Sequence, residues 1–98
     1  MAEQRQKPLS REAAAEIAVA GLQFLADDPE TLGRFLSLSG LGPGDLRGIA
    51  GDPGFLVGIL EFLMSDETTL VMFAESRHIR PTLVAAARYA LAGSIEQQ

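Results

Sequence analysis

Three clusters of side chains in this sequence could do chemistry. Asp27, Asp28 and Glu30 stand within four positions, and Asp66 and Glu67 are adjacent. Clustered carboxylates can bind a divalent cation through oxygen, or act as an acid–base pair. Arg77, His78 and Arg80 form a basic corner that could hold a small anion or a phosphate, with His78 as the titrating group. Each cluster also has a structural reading. Acids at a helix start cap its free N–H groups and complement its dipole, and cations do the same at a helix end. Capping explains both acidic positions and their recurrence, and no aspartate-rich loop of the EF-hand kind is present. His78 is the only histidine and there are no cysteines, which excludes a histidine-rich or thiolate metal site.

Other chemistry has no carrier. The motifs G-x-x-x-x-G-K, G-x-G-x-x-G, G-x-S-x-G and H-E-x-x-H are missing. The glycine-rich GLGPG at 40–44 has no following lysine for a phosphate and reads as a turn. Ser10, Ser37, Ser39, Ser65 and Ser76 have no base beside them in sequence. The expectation is a chain that is not an enzyme, with no catalytic residue, no metal and no cofactor.

The elements that would position these residues are all helices. Ser10 caps a first helix over 11–26, whose apolar stripe is Ala14, Ile17, Ala18, Gly21, Phe24 and Leu25. Asp28-Pro29 opens a second over 29–39, with Leu32, Phe35, Leu36 and Ser39 on one face and Glu30, Arg34 and Ser37 pointing away. Gly40 suits its C-terminal cap, and Leu41 plugs the core. A short third helix over 43–50 contains Gly44 and Gly48. Asp52-Pro53 opens a fourth over 53–64, apolar nearly all round apart from Glu61 and therefore central. Asp66 caps a fifth over 67–77 with Leu70, Phe73 and Ala74 inward. Arg80-Pro81 starts a sixth over 81–92, with Leu83, Val84, Ala87, Ala90 and Leu91 inward and Gly93 as its stop. No run alternates as a strand would.

These helices are organised around an echo. LQFLADDPETLGRF (22–35) returns as LEFLMSDETTLVMF (60–73), an offset of 38. Leu22/Leu60, Phe24/Phe62, Leu25/Leu63, Asp28/Asp66, Thr31/Thr69, Leu32/Leu70 and Phe35/Phe73 are identical pairs. Beyond it Leu41 falls on Ile79, Pro43 on Pro81, Leu46 on Val84, and Gly40 on His78. This predicts an all-α, compact six-helix bundle built of two three-helix halves, about 12–50 and 50–88. The fourth helix packs on the first, with Leu22, Phe24, Leu25, Leu60, Phe62 and Leu63 meeting between halves. The expected organisation is a flexible arm over 1–9, one domain over 10–93 and a flexible tail over 94–98.

The shared residues are core and cap types. Pro29/Glu67, Gly33/Val71 and Arg34/Met72 differ between the copies, so a specific partner would be recognised there. The fourth and fifth helices carry more apolar surface than burial needs. Phe62, Val71 and Met72 are the candidate surface for an unknown protein partner or for self-association.

Charge limits the other partners. The net charge is −5, but residues 1–11 and 77–98 are each +2 and the body 12–76 is −9. An acidic body argues against nucleic acid, whose phosphates demand clustered cations. A helix-turn-helix over 29–50 would read bases with GDLRGIA, which offers one arginine and two glycines. No apolar run approaches the ~20 residues that span a bilayer, and MAEQRQKPLSRE has no apolar leader core. The expectation is a cytoplasmic protein off the membrane.

The strings LSREAA (9–14), FLADDPETLGRFL (24–36), SGL (39–41), DLR (45–47), DPGFL (52–56) and FLMSDE (62–67) resemble a family of small alphaproteobacterial proteins catalogued as domain of unknown function 3572. The resemblance covers residues 9–92 and implies a small bacterial cytoplasmic protein. It brings no activity, substrate or catalytic residue. The reading is therefore a non-enzymatic protein–protein interaction or regulatory module. The alternative is small-anion or nucleic-acid binding through the Arg77-His78-Arg80 corner.

Overall fold

The computed structural model describes residues 9–96. Residues 1–8 of the arm expected over 1–9 and residues 97–98 of the expected tail lie outside the described residues, and Leu9 of that arm packs against the core. Six helices follow in order: α1 (Arg11–Ala26), α2 (Pro29–Ser39), α3 (Leu46–Ile49) after a 3-10 turn at Pro43–Asp45, α4 (Pro53–Met64), α5 (Glu67–Ser76) and α6 (Pro81–Glu96). There is no strand among the described residues. The fold is an all-α bundle.

Local chemistry sets the boundaries. Ser10 Oγ accepts from the Ala13 N–H at 3.0 Å, and Asp52 Oδ2 accepts from the Phe55 N–H at 3.0 Å. Pro29 and Pro53 occupy first-turn positions, where a missing N–H leaves nothing unpaired. Two helices end on a left-handed residue. Gly40 (φ 74°) follows α2 and His78 (φ 58°) follows α5. The Leu41 N–H then returns to the Leu36 carbonyl and the Ile79 N–H to the Ala74 carbonyl, both at 3.0 Å. Those are the long bonds of Schellman caps.

The core lies where α1, α4 and α6 meet. α6 packs along both α4 and α1, α5 lies on α4, and α2 lies on α1 and α4. Leu25, Ile59, Leu60, Leu63, Phe73 and Val84 are fully buried, each contributing about 1.5–3 kcal/mol relative to exposure. Gly21 lets α1 approach α4. A Cβ there would stand 2.8 Å from Leu63 Cδ1 and 3.1 Å from Ile59 Cγ2. A Glu61–Arg88 ion pair at 2.7 Å fastens α4 to α6 at the surface.

Three expectations change. First, α3 is one turn long, and its counterpart 38 residues on is the 16-residue α6. Gly44 and Gly48 weaken the first copy where Thr82 and Ala86 sustain the second. Second, α6 runs through Gly93 to Glu96. Gly93 does not take the positive φ of a terminating glycine; Gly40 alone does among the described residues. Third, of the six residues expected between the halves, only Leu25, Leu60 and Leu63 are fully buried. Leu22, Phe24 and Phe62 are half-buried at the core margin.

Phe24 and Phe62 do not meet each other. Phe24 meets Phe73 with ring centres 5.5 Å apart and planes at 62°. Phe62 meets Phe35 at 5.3 Å and 60°. Moving each member of the first pair by 38 positions gives the second. α1 thus touches α5, and α4 touches α2. Edge-to-face rings of this kind add about 0.5–1.5 kcal/mol beyond burial.

Candidate functional site

A groove of about 530 Å³ opens between the α1–α2 turn and the outer face of α5. Phe24, Leu25 and Met72 give it apolar walls, and Asp27 and Asp28 stand on one side. Thr31, Thr69 and Ser76 line it, and Arg77 closes one end. Met72 is 55% exposed, while Leu25 is buried.

The polar groups of the groove are held in place by local hydrogen bonds. Thr31 Oγ1 donates to Asp28 Oδ2 at 2.6 Å. In the second copy Thr69 donates to Asp66 Oδ2 through both its hydroxyl (2.5 Å) and its backbone N–H (3.1 Å). The hydroxyl bond holds the Asp28 carboxyl below its ordinary 3.8, and the paired Thr69 bonds do the same for Asp66. Asp28 is the N-terminal cap of α2, and its carboxylate is engaged chiefly by the Thr31 hydroxyl. Ser76 Oγ donates to the Phe73 carbonyl at 2.7 Å. Arg77 Nη2 reaches across to α1, donating to Gln23 Oε1 at 3.1 Å and to the Ala20 carbonyl at 3.5 Å.

The site residues expected from sequence are redistributed. Phe62 leaves the apolar surface with Val71 and Met72: it is half-buried against Phe35, with the Arg34 guanidinium carbon 5.8 Å from its ring centre. Arg34 does not simply point away. Val71 is 36% exposed. The basic corner is split. Arg77 faces the groove, while His78 and Arg80 line a separate depression of about 500 Å³ with Ile79, Thr82, Leu83 and Ala86. Among the described residues, no three of the His, Cys, Asp and Glu side chains gather as metal ligands do. No helix there is long and apolar enough to cross a membrane. Sequence alone does not mark Phe24, Thr31 and Thr69 as site residues; the 38-residue echo, which aligns Thr31 with Thr69 and Phe24 with Phe62, is the signal that points to them.

Arg34 and Met72 are equivalent positions as well. The Arg34 guanidinium covers Phe62, while Phe24 and Met72 both line the groove.

No curated protein and no solved structure matches the chain. The family described as "Protein of unknown function (DUF3572)" matches residues 11–94, nearly the whole length, and the chain belongs to that family.

Proposed function

We propose that this chain is a non-enzymatic interaction module that docks a protein partner in the groove bounded by Phe24 and Met72. One observation carries the reading: Met72, 55% exposed, stands on the wall of a groove that also contains half-buried Phe24. Exposed thioethers beside aromatic rings adapt to varied apolar surfaces. Asp28 and the Thr31, Thr69 and Ser76 hydroxyls around the groove are engaged in local hydrogen bonds, which fits a fixed recognition surface better than proton transfer. Arg77 is drawn to Gln23 and away from His78 and Arg80, so the anion-binding alternative loses one of its two arginines.

The reading takes the two halves as an internal repeat at offset 38. The swapped ring pairs and the matched left-handed caps support it, since reciprocal contacts of this kind are what a two-fold relation between copies produces. Superposing 22–41 on 60–79 tests it: the α1–α2 and α4–α5 pairs should overlay in direction and order.

The functional test is Met72→Glu. The reading expects the variant to lose the proteins that co-purify with the whole chain from its native host, with its melting temperature unchanged. A change in sedimentation coefficient instead of co-purifying proteins would mark self-association through the same face. Unchanged partners and unchanged sedimentation would contradict the reading.

A further inference from the structure

The second copy of the repeat shows what a filled groove looks like. On that side Arg34 lies over the Phe62 ring at 5.8 Å. The Asp28 and Asp66 carboxyls are lowered chiefly by the hydroxyls of Thr31 and Thr69, and the Arg34 charge adds the smallest share. A guanidinium there lies over an aromatic face, a contact that suits arginine better than lysine. On the other side the ring is Phe24, the carboxylate is Asp28, and the position that would supply the cation is Met72. Asp27 adds a second acid where the other copy has Ser65. Arg77 stands at the far end, and its guanidinium is tied to Gln23.

We propose that the groove takes an arginine side chain from a partner protein, stacked on Phe24 beside Asp27 and Asp28 as Arg34 is stacked on Phe62. This rests on the docking reading above and names the chemistry of the partner. The acidic body, −9 over residues 12–76, favours the same sign of partner.

The test selects a random eight-residue peptide display library on the whole chain, with Met72→Arg as the counter-selector. Met72 is exposed, so the variant should keep the wild-type melting curve, and its new guanidinium should close the groove from within. The expected binders are sensitive to Met72→Arg and share an arginine. Replacing that arginine by citrulline, which keeps shape and removes charge, should weaken binding about ten-fold or more. Binders sensitive to Met72→Arg that carry no arginine, or that tolerate citrulline, would overturn this inference and leave the docking reading standing. An absence of any binder sensitive to Met72→Arg would overturn both. Concentration-dependent dimerisation of the wild-type chain, abolished by Met72→Arg, would show a second copy as the occupant and overturn the partner assignment.

Discussion

The guanidinium carbon of Arg34 lies 5.8 Å from the centre of the Phe62 ring, so a residue of α2 covers an aromatic side chain of α4. The residues 38 positions away in the echo, Met72 and Phe24, line a groove instead. The proposed docking site rests on that difference between the two phenylalanines.

Arg34→Met should make the two sides alike. Phe62 would lose its cation, and stability should fall by about 0.5–1 kcal/mol, the value of an exposed cation–π contact. Urea denaturation of the variant beside wild type measures it. An unchanged midpoint would mean that Arg34 is not stacked in solution.

Gly21→Ala should destabilise the chain. The added methyl meets Leu63 and Ile59 inside the α1–α4 contact, where overpacking costs about 1–3 kcal/mol. The better helix propensity of alanine offsets up to about 1 kcal/mol of that. Gly33→Ala is the control. It lies on the exposed side of α2 with nothing near its Cβ position, so the same propensity gain of about 1 kcal/mol should appear as stabilisation. Equal effects at the two sites would contradict the close approach.

The left-handed caps give a paired test. His78 holds φ 58° with a side chain attached, a conformation that glycine adopts at no steric cost. His78→Gly should raise stability by up to about 1 kcal/mol, and Gly40→Ala should lower it by about 1–2 kcal/mol. Opposite shifts in thermal midpoint would verify both caps, and shifts of the same sign would refute the shared geometry.

The Asp66 carboxyl is held below 3.8 by its bonds from Thr69. A depressed carboxylate adds stability that is complete above the unfolded value and lost as pH falls through the folded one. Thr69→Val should therefore be less stable than wild type above pH 3.8, and the gap should narrow below it. Denaturation curves across that range decide the point. A gap independent of pH would assign the loss to packing alone.

Helix positions were legible in the sequence because their ends are chemical. Asp28-Pro29, Asp52-Pro53 and Arg80-Pro81 mark three starts, and Gly40 marks one stop. Local rules settle such points. The length of α6 was not legible, because Gly93 stays helical when no left-handed cap forms. The groove was legible only in part. Periodicity tells which side of a helix is apolar, so Phe62 and Met72 could be placed on a candidate surface and Phe24 on the inner stripe of α1. It does not tell which ring faces which neighbour. The exchange of partners, Phe24 to Phe73 and Phe62 to Phe35, is a tertiary choice, and it moves Phe62 under Arg34 and leaves Phe24 beside the groove. The same applies to Arg77, which sequence groups with His78 and Arg80 but which a hydrogen bond to Gln23 turns to the other side.

The docking claim is tested most directly by contact from one position inside cells. A photo-crosslinking residue is placed at Met72 in the groove, at Thr82 in the depression beside His78, or at Tyr89, which is 81% exposed on α6. The account predicts a discrete crosslinked partner from position 72, absent from positions 82 and 89, with an arginine in the partner peptide joined at the site. A partner captured from position 82 or 89 and not from 72 would contradict it.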